Sequence, residues 1–430
     1  MANKPIDKNK AYGLVFAGGG TRGCYEIGAW KALNELNVKI KAVAGTSIGA
    51  INGALFVQND FDLAYKIWTN VKMEDIIATD ENPIKAFLFT IKEKGLDISP
   101  LKEIMNKYLD EDRIRASEID YGLVTFSVSD IEPVTVMKKN IPKGKLVDYI
   151  LASASLFVFQ PTVIDGKTFI DGGIYDNAPA FLLQEADCHE IIVIKIPGLT
   201  GYRNYTIRKT DKASLYIIEN SSELCGLLEF DNAKIRDGIE MGYLDTKRAF
   251  GELYGSVYYI SHGLNEYADS RFLYPMTEEE FTIISEDIQK DQEGAEKNSR
   301  ELLIKTLNGY SDDQINFGSA LQAFIEIAAG IFEIDRLKVY SGDELYEEVL
   351  KEYVRFKESV EYLESKKSIL SLYKALDFNS ISKKNLAAYF ISLSEKDKVS
   401  KKYLLKFMPK VYTTYLFFEF MKNRDARIKD

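Results

Sequence analysis

The chain has 430 residues, 46% hydrophobic and 28% charged, the balance of a folded globular protein with length for more than one ordinary domain. A formal net charge of −10 excludes nucleic-acid binding by bulk attraction, and three scattered cysteines, Cys24, Cys188 and Cys225, make no disulfide framework. The N-terminal residues are polar and lysine-rich, and no run of about 18 apolar residues follows anywhere. The expectation is a cytoplasmic protein with neither a signal peptide nor a transmembrane helix.

In chain order, residues 12–17 are a short apolar run ending in glycines, the form of a buried strand. Residues 22–36 carry Ile27, Trp30, Leu33 and Leu36 at helical spacing. Residues 41–45 read as a second strand and 48–57 as a helix. Strand, glycine loop, helix, strand, tight turn, helix is the order of a parallel α/β layer. Residues 60–108 read as helical cover, 122–129 and 133–138 as strands, and 145–153 as a helix. Residues 163–169 form a hairpin pattern around Asp165-Gly166. The continuous apolar run 190–196 fits a central strand, and 227–250 a further helix. After His262 the composition turns polar and acidic through residue 300, then helical to the end. The expected organisation is an α/β domain over 10–262, a polar acidic connecting segment over 263–300, and a helical C-terminal region over 301–430.

The glycine loop Gly18-Gly19-Gly20-Thr21-Arg22-Gly23 sits between a strand and a helix. Read as G-x-G-x-x-G it would bind a dinucleotide, but the next strand then needs an acidic end for the ribose. That strand ends in Ala44-Gly45-Thr46-Ser47 and offers none. The alternative is an oxyanion hole. Consecutive glycines let backbone N–H groups converge on one point, and the following helix adds its positive end. Arg22 would orient the loop or meet a phosphate.

Gly45-Thr46-Ser47-Ile48-Gly49 matches G-x-S-x-G, in which a serine stands on a strained strand-to-helix turn and the flanking glycines avoid a clash. A serine hydroxyl needs a base. The chain holds only His189 and His262. His189 precedes the strand 190–196, the wrong edge of an α/β sheet for chemistry, and His262 lies beside the domain boundary. The base is therefore expected to be a carboxylate. Asp165-Gly166 is accounted for as a turn. Asp171 ends a strand just before Gly172 and Gly173, which makes it the candidate, with Asp176 as fallback.

On these residues the sequence resembles the patatin-like phospholipases. Gly18 to Gly23 look like the family's oxyanion loop, Gly45 to Gly49 like its nucleophile elbow, and Asp171-Gly172-Gly173 like its aspartate motif. Ala152-Ser153-Ala154-Ser155, Gln160-Pro161 and Asn177-Ala178-Pro179 add support, and the resemblance spans roughly residues 10–255. It implies a three-layer α/β/α fold with a mainly parallel sheet and hydrolysis of phospholipid or other acyl-ester lipid. It also implies a Ser47–Asp171 dyad without histidine, and no metal or cofactor. Residues 156–159 are bulkier than the family pattern, which bears on acyl-chain selectivity. The competing readings are an acyltransferase using the same dyad, or a catalytically silent lipid- or protein-binding module. An activating protein partner is left open.

Residues 401–422 interleave aromatic and aliphatic side chains with lysines, a combination that suits peripheral membrane contact. Packing in a C-terminal core is the preferred reading of the same pattern, with Pro409 breaking or kinking the helix.

Overall fold

In the computed structural model, residues 7, 9–78, 95–198, 213–261, 276–280, 282, 296–310, 317–364, 383–395 and 405–429 are described. His262, most of the acidic stretch 263–300, residues 79–94 of the expected helical cover and residues 401–404 lie outside them.

Strand β1 (Ala11–Phe16) carries the apolar run before the glycines and is buried from Tyr12 onward. It pairs in parallel with β2 (Lys39–Thr46) on one side and β7 (Glu190–Lys195) on the other. Strand β2 pairs with β3 (Asp120–Ser127), and β7 with β8 (Ser214–Glu219), giving five parallel strands in the order β3-β2-β1-β7-β8. Strand β4 (Glu132–Met137) adds to β3 antiparallel. The hairpin β5 (Thr162–Ile164) and β6 (Lys167–Asp171) also joins β3 antiparallel, through β6. The hairpin turn has Asp165 at φ 50° and Gly166 at φ 81°. Positive φ at both central residues is what an Asp-Gly hairpin turn requires.

Around this sheet lie α1 (Cys24–Glu35), α2 (Ile48–Val57), α3 (Phe61–Asn70), α4 (Ser99–Tyr108), α5 (Glu111–Ala116), α6 (Leu146–Ser153), α7 (Ala180–Glu185) and α8 (Asn232–Ala249). Successive residues of β3 show that both faces are covered. The Tyr121 hydroxyl donates to Ala50 O on α2 at 2.7 Å, while a Cβ at Gly122 would lie 3.5 Å from Leu182 of α7. Parallel strands covered on both faces carry continuous apolar runs, and Ile191 to Ile194 are fully buried. The sheet is thus mixed but mostly parallel, with helices around it.

Two helices start later than the apolar periodicity suggests. Gly20–Gly23 form a 3-10 turn, so α1 begins at Cys24 rather than at residue 22. Asp231 caps α8 by accepting from the Ala233 and Lys234 amides. Residue 227, expected inside that helix, instead offers its carbonyl to Thr21 N at 2.9 Å.

The chain divides into two compact units, Asn3–Phe250 and Gly251–Asp430. The second contains α9 (Glu296–Asn308), α10 (Phe317–Ile331), α11 (Gly342–Glu364), α12 (Lys383–Glu395) and α13 (Pro409–Lys429), with a short parallel pair of strands, β9 (Tyr259–Ile260) and β10 (Val339–Tyr340). Its core includes Phe324, Phe332, Tyr412, Phe417 and Met421. The aromatic C-terminal stretch is packed there: residues 411–418 are all buried, and Phe407 is the exposed member of the described series. Residues 405–407 are helical, Met408 is not, and the helix is broken at Pro409, as expected. Pro409 opens α13, at the position where its missing N–H costs no hydrogen bond.

Candidate active site

Ser47 links β2 to α2 with φ 57° and ψ −128°, a backbone conformation that a residue with a Cβ adopts only under strain of about 1–3 kcal/mol. The flanking glycines permit it. A Cβ at Gly45 would lie 2.1 Å from Gly49 O, and one at Gly49 would lie 2.2 Å from Phe16 O. The Ser47 amide, turned inward by the positive φ, donates to Ser153 Oγ at 3.0 Å, and Ser153 Oγ in turn donates to Val124 O at 2.6 Å. Thr46 Oγ1 donates to Asp176 O at 2.9 Å. The elbow is therefore braced by the Ser153 side chain, itself held by Val124 O, and by the backbone carbonyl of Asp176.

Strand registry brings Asp171 to this elbow. Strand β4 occupies one edge of β3 over residues 122–127. Strands β2 and β6 must then share the other edge: β2 runs up to Thr46 opposite Val124, and β6 runs the other way, ending with Asp171 opposite Thr125. The two strands meet end to end at adjacent positions of β3, so Ser47 follows one end and Asp171 closes the other. Gly172 passes over the junction, where a Cβ would lie 2.1 Å from Val124 O.

Asp171 is 7% exposed. Its Oδ1 accepts from Gly173 N at 2.7 Å, and its backbone N donates to Ser155 O at 2.7 Å. Burial pushes its pKa up to about 6, against the pull of the Ser47 hydroxyl and the Gly173 amide, both of which favour the charged form. Oδ2 is shut away from solvent with no partner within strict hydrogen-bond geometry. The Ser47 hydroxyl thus stands beside the carboxylate but outside that geometry.

The glycine loop is anchored on all sides. Gly18 N donates to Asn177 O at 2.9 Å, and Asn177 Nδ2 returns a bond to Gly18 O at 2.8 Å. The Gly18 amide is thereby committed, which corrects its expected role as an oxyanion donor. Its missing side chain matters instead, because a Cβ would lie 2.4 Å from Asn177 Oδ1 and 3.1 Å from Ser47 Cβ. Arg22 is likewise committed: its N donates to Gly19 O, its Nε to Cys225 O at 3.0 Å, and its Nη1 to Pro197 O and Gly198 O at 2.9 and 3.1 Å. Of the two roles open to it, Arg22 orients the loop. Gly23 lets Ile48 of α2 approach, since a Cβ there would lie 2.7 Å from Ile48 Cγ1. The Gly19 and Gly20 amides meet no acceptor among the described residues, and Gly20 has φ 57°.

His189 lies just before β7, at the opposite end of the parallel strands from Ser47, with Nε2 3.0 Å from Asp187 Oδ1. Asp165 sits in its hairpin turn, paired with Lys145 at 3.0 Å. Asp176 Oδ1 accepts from Ala178 N at 2.9 Å, holding the segment that carries Asn177. Ser153 and Asn177 are the supporting residues that sequence reasoning left without a role. Both fell in segments singled out for resemblance, but only the folded chain shows what they hold.

An apolar cavity of roughly 870 Å³, counting its open mouth, lies in front of Ser47. Its walls include Ile51, Leu55, Trp68, Met105 and Phe159, and no charged side chain lines it among the described residues. That size and lining suit an alkyl chain.

Part of the chain is similar to known proteins. Residues 14–183 match the family model for patatin-like phospholipase. The chain is 29% identical over 190 residues to patatin-like phospholipase domain-containing protein 7 of Rattus norvegicus, covering 43% of this chain and 14% of that protein. It is 28% identical over 196 residues to lysophospholipase NTE1 of Candida glabrata, covering 44% and 11%. The chain thus matches only a small part of the length of these relatives. Among solved structures, VipD from Legionella pneumophila aligns over 97% of this chain and 92% of its own, at 12% identity and a TM-score of 0.41. The chain carries a patatin-like phospholipase domain over residues 14–183.

Proposed function

We propose that this chain is a serine lipid acyl hydrolase, acting on phospholipid or lysophospholipid esters through Ser47 and Asp171. The observation that carries the reading is the end-to-end meeting of β2 and β6, with a serine on a strained elbow beside a buried carboxylate and an apolar cavity in front. The names of the relatives, phospholipase and lysophospholipase, supply the substrate class.

The chemistry follows from the positions. Ser47 Oγ attacks the ester carbonyl carbon while its proton passes to the Asp171 carboxylate. The carbonyl oxygen takes the negative charge and meets the Gly19 and Gly20 N–H groups, each worth a few kcal/mol. The tetrahedral intermediate collapses, the C–O bond to the alcohol breaks, and the alcohol leaves with the proton from Asp171. Water then gives its proton to Asp171 and attacks the acyl-enzyme; the bond to Ser47 Oγ breaks, that proton passes from Asp171 to Ser47, and the fatty acid is released. A carboxylate with a pKa near 6 is ionised at neutral pH and is a stronger base than an exposed aspartate.

The test is hydrolysis of phospholipid and lysophospholipid vesicles, followed as released fatty acid. Wild type is expected to release it and Ser47→Ala to release none above background, with the same circular dichroism. Release by a folded Ser47→Ala protein contradicts the assignment. Transfer of the acyl group to an added alcohol in preference to water would make the protein an acyltransferase on the same dyad.

A further inference from the structure

A buried polar chain lies beneath the glycine loop, and the reaction scheme above makes no use of it. Glu26 on α1 and Asn52 on α2 are both fully buried, and Trp68 on α3 is 5% exposed. Trp68 Nε1 donates to Asn52 Oδ1 at 2.9 Å. Asn52 Nδ2 donates to Gly23 O at 3.0 Å and to Glu26 Oε2 at 2.7 Å. An indole N–H can only donate, so Asn52 must turn its oxygen to Trp68, and its NH₂ group then faces two acceptors. Every polar atom of the amide is used, and its orientation is fixed by chemistry on both sides.

The three residues belong to three different parts of the site. Gly23 ends the glycine loop, and the Ala17 amide, one residue before that loop, also faces the Glu26 carboxyl. Asn52 stands on the helix that Ser47 begins. Trp68 is part of the cavity wall. Keeping a carboxyl at this depth is costly: burial pushes its pKa well up, and Oε1 has no hydrogen-bond partner. A leucine would fill the same space without that cost, so packing alone gives no reason for the acid.

We propose that Glu26 and Asn52 are positioning residues for the glycine loop, and that through Trp68 they tie the position of the acyl-cavity wall to the amides that receive the oxyanion. The inference rests on the hydrolase reading above. An alkyl chain seated against Trp68 holds the indole in place, which holds Asn52, Gly23 O and the loop that ends there. A cavity without its chain leaves that wall free to relax and the loop less well set.

The experiment measures kcat and KM with p-nitrophenyl butyrate and p-nitrophenyl palmitate. Trp68→Phe keeps the ring against the cavity and removes only the N–H. It is expected to lower kcat about tenfold on both esters with KM within twofold. Asn52→Ala should do the same, and the double variant should lose no more than the single ones. Glu26→Leu should show the same kcat loss, and Glu26→Gln, which keeps an acceptor for Asn52, should recover it. Unchanged kcat in Trp68→Phe overturns the inference, as does a rise in KM confined to the palmitate. Equal losses in Glu26→Gln and Glu26→Leu overturn it too, since the acceptor is then not what matters. A wild type that hydrolyses neither ester overturns the hydrolase reading and this inference with it. A wild type active on both beside a Trp68→Phe variant of unchanged kcat overturns this inference alone.

Discussion

Each of the two units buries a carboxylate whose role can be read from its partners, Asp171 in the sheet unit and Glu326 in the helical unit. Glu326 Oε1 accepts from Ser256 N at 2.9 Å and Gln322 Nε2 at 3.1 Å, and its Oε2 accepts from Val257 N at 2.6 Å and Tyr258 N at 3.4 Å. Burial raises its pKa against these bonds, but both oxygens are occupied by fixed donors. Asp171 has one oxygen held by Gly173 and the other left beside a serine hydroxyl. A carboxylate with both oxygens occupied, chiefly by backbone donors, holds a loop to a helix. One left with a buried, unoccupied oxygen is costly to the fold and is retained for another purpose.

The comparison breaks most sharply at the nucleophile. Ser47→Ala should lower turnover by at least about 10⁴-fold, while its melting temperature stays close to that of wild type, because alanine keeps the Cβ, the backbone conformation and the amide bond to Ser153 Oγ. Asp171→Asn should lower turnover by roughly 10³- to 10⁴-fold, since an amide cannot take the serine proton. The same change should leave the protein as stable or more so. The folded pKa of about 6 lies above that of an unfolded aspartate, so the folded state holds this proton more tightly. Stability from this group therefore declines as pH rises from about 4 to about 6 and is level above that. At pH 8 the asparagine removes a penalty of up to about 3 kcal/mol, which urea unfolding at pH 4 and pH 8 would reveal as a gain at pH 8 only.

Glu326→Leu should do the opposite. It leaves the amides of residues 256–258 without their acceptor and should destabilise the helical unit by about 2–5 kcal/mol, seen as lost hydrogen-exchange protection at those residues. A more stable Glu326→Leu protein, or a severely unstable Asp171→Asn, would erase the contrast. A milder test is pH. Wild-type kcat/KM should rise through an apparent pKa near 6 and then level, because the base acts unprotonated. The smallest expected effect is that of Ser153→Ala, which deprives Ser47 N of its acceptor. A loss of about tenfold in turnover, with about 1–3 kcal/mol of stability, would match two broken buried hydrogen bonds, to Ser47 N and to Val124 O.

Much of the site was legible in the chain because it rests on local chemistry. Gly45 and Gly49 are required by the turn itself, and Asp165-Gly166 explains its own hairpin. The shared edge of β3 was not legible. It depends on the pairing of strands more than a hundred residues apart in the chain, and no local pattern shows that β2 and β6 end at neighbouring positions. Ser153 and Asn177 were equally hidden, since a serine in a helix and an asparagine in a loop look alike whatever they touch. Gly18 was assigned as a donor because it opens a glycine run, and the fold uses its amide for Asn177 instead. The aromatic stretch near the C-terminus has the composition of both a membrane-surface helix and a core helix, and residues 411–418 are buried in the helical unit.

The central claim is that Ser47 is a nucleophile activated by Asp171, and the most direct measurement is labelling with a fluorophosphonate probe, with the modified peptide identified by mass spectrometry. The account predicts a single adduct on Ser47 in wild type, none in Ser47→Ala, and much slower labelling in Asp171→Asn. A folded wild type that stays unlabelled, with and without added lipid or cell lysate, or an adduct on another residue, would contradict it.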